Sequence, residues 1–151
     1  MARTIELHGG IMSRPPVQGM LEFGLYVPDV SRAADFYHLL FGFPVLLSTE
    51  RIAALDVEGK QVLLLFKQGA SSEPMTVPGG GLLPPHGSEG TSHVAFAIRE
   101  SDIEGWEQWL QEQDVEVESK VEWERGGRSL YFRDPDGNLL ELVTPGVWET
   151  Y

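Results

Sequence analysis

Two short segments of the chain match without a gap: Glu22-Phe23-Gly24-Leu25-Tyr26-Val27 and His93-Val94-Ala95-Phe96-Ala97-Ile98. Strand alternation puts Phe23, Leu25 and Val27, like Val94, Phe96 and Ile98, on one face, and leaves Glu22 and His93 beside small residues on the other. Ionisable groups at equivalent places of two strands suit metal ligation or acid-base chemistry, although solvated edge strands would read the same way. Glu141 stands between Leu140 and Leu142 and shares a face with Leu139 and Val143. A carboxylate there is costly unless paired or ligated, the alternative being an exposed place on an edge strand. The chain has no cysteine, so thiolate nucleophiles, disulfides and sulfur-ligated metals are excluded, and any metal falls to His and carboxylates. His86, within Pro84-Pro85-His86-Gly87, suits a general acid or base at neutral pH, or is a solvated loop residue.

The chain that must position these groups has 151 residues, the length of one domain with a sizeable core. Its 42% hydrophobic and 23% charged residues are those of a folded globular protein. A net charge of −12 repels phosphate backbones and anionic bilayers, so neither nucleic acid nor a membrane surface is expected as a partner. The longest aliphatic and aromatic run is only Val62 to Phe66, and a cytoplasmic enzyme or binding protein is the expected class.

Residues 1–19, with Gly9-Gly10 and Pro15-Pro16, read as an arm, and 146–151 as a tail. Between them, residues 20–145 form one domain of two similar halves, 20–68 and 91–145, joined by a Pro-, Gly- and Ser-rich loop at 69–90 long enough to act as a lid. In the first half a strand over Met20 to Val27 precedes a helix over Val30 to Phe41, with Ser31 near its start and Gly42 and Pro44 ending it. Strands follow at Val45 to Thr49, Ile52 to Val57 and Gln61 to Lys67. The second half repeats the order: a strand over Thr91 to Ile98, a helix entered through a capping box at Ser101-Asp102-Ile103-Glu104, and strands at Val115 to Val121, Ser129 to Phe132 and Leu139 to Val143. The fold class is therefore α+β, two β-α-β-β-β modules.

Two blocks in these halves carry a resemblance: Val27-Pro28-Asp29-Val30-Ser31-Arg32 with Phe36-Tyr37 and Leu40-Phe41-Gly42-Phe43, and Tyr131-Phe132-Arg133-Asp134-Pro135-Asp136-Gly137-Asn138-Leu139-Leu140-Glu141-Leu142. They resemble the vicinal oxygen chelate proteins, which include glyoxalase I, extradiol dioxygenases, fosfomycin-resistance enzymes and bleomycin-binding proteins. The resemblance implies two modules whose curled sheets enclose a cleft with a metal on its floor. It also implies Glu22, His93 and Glu141 as ligands of one divalent ion, with Zn, Mn, Fe, Co and Ni all compatible with oxygen and imidazole donors. The place that supplies a fourth protein ligand in glyoxalase I falls within Leu63-Leu64-Leu65, and so is aliphatic here.

Around such a metal, Tyr131 and His86 are the expected catalytic groups, and Tyr26, Ser129 and Arg128 the expected substrate contacts, with Ser129 alternatively supporting a ligand. Arg125, Arg133 and Lys120 lie near Arg128, and the more common outcome for such a basic group is a surface hairpin balanced by Glu116, Glu118, Glu122 and Glu124. The leading expectation is an enzyme whose ion chelates vicinal oxygens of a small substrate and stabilises an enolate or oxyanion, by isomerase, lyase, dioxygenase or addition chemistry. The competing one is a metal-free protein that sequesters a drug or metabolite. A homodimer is expected, because open sheet edges need covering.

Overall fold

The structure, a computed structural model, describes residues 14–151, so most of the expected arm lies outside the described residues. The first half contains β1 (Glu22–Val27), α1 (Val30–Phe41), β2 (Val45–Ser48), β3 (Ile52–Val57) and β4 (Gln61–Lys67). Two short strands, β5 (Met75–Thr76) and β6 (Leu82–Leu83), pair within the linking loop. The second half contains β7 (His93–Ala97), a 3-10 turn at Glu100–Asp102, α2 (Ile103–Glu112), β8 (Ser119–Glu122), β9 (Arg128–Arg133) and β10 (Leu139–Val143). The strand orders are identical, β1-β4-β3-β2 and β7-β10-β9-β8, with the first strand of each sheet parallel to the last and the other pairs antiparallel. The repeat is thus structural as well as sequential.

Local chemistry sets the boundaries. Asp29, rather than Ser31, caps α1: its Oδ1 accepts from the Arg32 N–H at 3.0 Å. At the other end Gly42 takes φ +74°, and its N–H closes on the His38 carbonyl. The capping box expected at Ser101 does not form, because Ser101 lies inside the 3-10 turn and no side chain caps α2. Glu104 accepts from Arg128 instead. The strand expected from Val115 begins only at Ser119, since the Val115 N–H is spent on Leu110 O as the chain leaves α2 and Asp114 adopts φ +55°.

The hydrophobic core is shared between the halves. Leu25, Leu55 and Leu65 of one sheet join Leu130, Phe132 and Leu142 of the other in a single buried cluster with α1. Phe41 of α1 lies 4.7 Å from Phe96 between ring centroids, and the Trp109 indole donates to Leu40 O at 2.9 Å. The buried Tyr37 hydroxyl donates to Asp134 Oδ2 at 2.7 Å, so the first helix is fastened to the β9–β10 turn. That turn is organised by Asp134, whose carboxylate also accepts from the Asp136 and Asn138 backbone N–H groups and the Asn138 side chain.

Because each sheet turns one face to this common core, the two opposite faces lie on the outside of it. One carries Glu22, Gly24 and Tyr26; the other carries His93, Tyr131 and Glu141. Beyond β10 the tail crosses the β8–β9 hairpin at Gly127 and Gly146, where a Cβ on Gly146 would stand 2.7 Å from the Gly127 nitrogen. Among the described residues, no helix is long and apolar enough to cross a membrane.

Candidate metal centre

His93 begins β7 and Glu141 sits two residues into the adjacent β10, on the same face. Alternation is the reason: Leu140 and Leu142 are fully buried in the core, which sends Glu141 to the opposite side. The His93 Nδ1 bonds the Leu139 carbonyl at 2.9 Å. A carbonyl only accepts, so Nδ1 carries the hydrogen and Nε2 is turned to Glu141 Oε2, 3.2 Å away. In the neutral ring this brings a lone pair against a carboxylate, an arrangement made favourable by a shared proton or by a cation. An oriented imidazole whose second nitrogen is tied to a backbone carbonyl is also the form in which histidine ligates divalent ions.

Glu141 is only 7% exposed, and its other oxygen is not idle: Ser129 donates to Oε1 at 2.6 Å. Trp123 in turn donates its indole N–H to Ser129 Oγ at 2.9 Å. Tyr131 faces Glu141 directly across the β9–β10 ladder, with its ring 6.3 Å from that of His93. Burial, and then the adjacent carboxylate, raise the Tyr131 phenol above its ordinary range, which keeps it a hydrogen-bond donor at neutral pH. His93, Glu141, Ser129 and Tyr131 are therefore brought together.

Other expected groups are elsewhere. Glu22 is exposed on β1, opposite Val62, and borders a cavity of about 210 Å³ with Phe23, Val94 and Phe96 at the seam between the halves. Among the described residues, no three of His, Asp, Glu and Cys converge in a single chain, so Glu22 does not meet His93 and Glu141 there. His86 is held by Tyr26, whose hydroxyl lies 2.6 Å from Nδ1, and stands edge-on to Phe66 at 4.7 Å. Tyr26 stacks on Phe66 at 5.4 Å, and the Phe66 ring lies across Gly24, where a Cβ would meet it at 3.1 Å.

The guanidinium of Arg128, expected to contact substrate, pairs with Glu104 of α2 at 3.0 Å, on the face of β9 opposite Ser129. Ser129, on that other face, donates its hydroxyl to Glu141. The remaining basic residues also balance acids on the surface: Arg125 with Glu149, Arg133 with Glu118, and Lys120 with Glu107.

The family model described as "Glyoxalase/Bleomycin resistance protein/Dioxygenase superfamily" matches residues 19–142. The chain belongs to that superfamily. Among its relatives is the metallothiol transferase FosB of Staphylococcus saprophyticus, 29% identical over 119 residues, which are 78% of this chain and 71% of that one. The metallothiol transferase FosB of Bacillus licheniformis is 27% identical over 139 residues, covering 91% of this chain and 82% of its own. A solved lactoylglutathione lyase from Agrobacterium tumefaciens superposes with a TM-score of 0.80 at 28% identity, over 89% of this chain and 99% of that one.

As a superfamily member the chain has its halves in exact register. Glu22 pairs with Val62 as His93 pairs with Leu139, and Gly24 with Leu64 as Ala95 with Glu141. Leu64 is thus the first-half counterpart of Glu141, and Ala54 that of Tyr131. One outward face is mainly apolar, with two acids, Glu22 and Asp56, flanking Val62 in its first row, and the other holds the polar cluster. Trp123 is the residue that sequence reasoning missed; its spacing of six from Ser129 signals nothing until the hairpin brings the two together.

Proposed function

We propose that the protein is a metal-dependent cytoplasmic enzyme acting as a homodimer, with one divalent ion held by His93 and Glu141 of one chain and Glu22 of a second copy. The observation that carries this reading is the His93 Nε2 turned onto Glu141 Oε2 at 3.2 Å, with both remaining heteroatoms tied back into the protein. Two features support the second copy: the outward placement of the two faces, and the first-half register that puts Glu22 where the second half has His93.

A bound divalent ion supplies Lewis-acid stabilisation to oxygen atoms of a small substrate that carry developing negative charge. The chain's own residues do the rest. Tyr131 donates a hydrogen bond from its neutral phenol to a substrate oxygen. Val62, Leu64 and Phe66 form an apolar wall that excludes water, and the Tyr26–His86 pair accepts or returns a proton at the far end, about 13 Å along β1 from Glu22. With Leu64 at the fourth place, three protein ligands leave room for two substrate oxygens. That opening favours addition of a thiol to a small oxygen-bearing substrate, in keeping with the names of the metallothiol transferase relatives.

The test is metal content. Wild-type protein dialysed against Zn(II) or Mn(II) should retain about one ion per chain by elemental analysis. Glu141→Gln, His93→Ala and Glu22→Gln should each lose most of it. Wild-type protein that retains none would overturn the reading in favour of a metal-free binding protein.

A further inference from the structure

Trp123, Ser129 and Glu141 form a chain of hydrogen bonds whose direction is forced. An indole N–H can only donate, so at 2.9 Å Ser129 Oγ must accept from it. The serine has one hydrogen left to give, and it goes to Glu141 Oε1 at 2.6 Å. Accepting the indole N–H makes the hydroxyl a stronger donor, since successive bonds polarise one another. Ser129 is 1% exposed, so no water competes for its hydroxyl. The Trp123 backbone is fixed from both sides of the hairpin turn: its N–H donates to Gly127 O and its carbonyl accepts from the Gly126 N–H, each at 2.8 Å. Its side chain is nevertheless 38% exposed, which is not the burial of a core residue.

We propose that Trp123 is a positioning residue that acts through Ser129 to fix the Glu141 carboxylate, engaging Oε1 so that Oε2 is the oxygen presented beside His93 to a divalent ion. The inference rests on the metal reading above and deepens it. It assigns the β8–β9 hairpin a part in ion binding, although Trp123 does not itself touch the ion.

The experiment titrates Zn(II) into metal-free wild type, Trp123→Phe, Ser129→Ala and the double variant by calorimetry, with circular dichroism of each metal-free chain as the folding control. Loss of a group that orients a metal ligand typically costs about 10- to 100-fold in affinity. Trp123→Phe should therefore bind Zn(II) about tenfold more weakly, Ser129→Ala at least as weakly, and the double variant no more weakly than Ser129→Ala. In a background carrying Trp106→Phe, Trp109→Phe and Trp148→Phe, which leaves Trp123 as the sole indole, saturating Zn(II) should also shift the emission, but not once Ser129→Ala is added, where the indole remains and its link to Glu141 is gone.

Unchanged affinity in Trp123→Phe, losses that multiply in the double variant, or an emission shift that survives Ser129→Ala would each overturn the relay. The emission arm stands even if Trp123→Phe does not fold. Absence of Zn(II) binding by wild type, or a Glu141→Gln variant that binds as wild type does, overturns the metal reading itself and the relay with it.

Discussion

Asp134 and Asp136 stand two residues apart in one turn and meet opposite fates. Asp134 gathers four donors, whereas Asp136 is met by Arg32 on Oδ1 at 3.1 Å while its Oδ2 is buried with no partner. Burial first, and the charge of Asp134 second, raise the Asp136 carboxyl above the usual aspartate range, with Arg32 opposing. A native-state value above the unfolded one means that folding favours the protonated form. The contribution of Asp136 is thus fully present at low pH and is lost as pH rises above about 4 through the native value. Asp136→Asn, which keeps an acceptor for Arg32, should gain stability relative to wild type as pH rises from about 4 to 6, measured by urea denaturation across that range. A constant difference between the two proteins over that range would contradict it. At this scale the sequence discloses His93 and Glu141, because alternation alone separates them from their buried neighbours. Alternation also separates Arg128 from Ser129 and Tyr131, since adjacent strand residues point to opposite faces. Trp123 and the Tyr26–His86 contact were illegible because hairpin closure and loop folding create them.

The elements were legible where periodicity was strong and less so at their ends. The helix over Val30–Phe41 and the strands at Ile52–Val57, Gln61–Lys67 and Leu139–Val143 occur as the pattern dictates, because each buries a continuous apolar stripe. The caps required geometry that propensity does not specify. Both Asp29 and Ser31 are good capping residues by type, but the chain turns at Asp29, and its carboxylate takes the Arg32 N–H. Asp29→Ala should therefore cost about 1 kcal/mol in unfolding free energy, and Ser31→Ala no more than about 0.5 kcal/mol, in parallel urea titrations. Equal losses would move the cap back to Ser31. Glu104 makes the same point at α2: hydrogen bonds from its own backbone N–H and from Arg128 hold its carboxyl below the ordinary glutamate range, so the residue expected to close a capping box is occupied elsewhere.

The relation between the halves was the least legible feature, because it depends on which faces share a core. The repeat is visible in the residues, but the attachment of α1 to the second half through Tyr37 and Asp134 and through Phe41 and Phe96 is a tertiary fact. It leads to a test of the proposed dimer. Chains carrying Glu22→Ala and chains carrying Glu141→Ala, each unable to bind Zn(II) alone, should on mixed refolding recover about one quarter of wild-type metal, since half of the random dimers then hold one intact site. A site built within one chain would recover none. The crossing of Gly127 and Gly146 reaches beyond this molecule. Two backbones that pass within reach of a missing Cβ leave no room for a side chain at either place. Of all the sequences able to adopt the two-module fold, only those that keep glycine at both positions can send the tail along this path, so the pair marks a branch in sequence space.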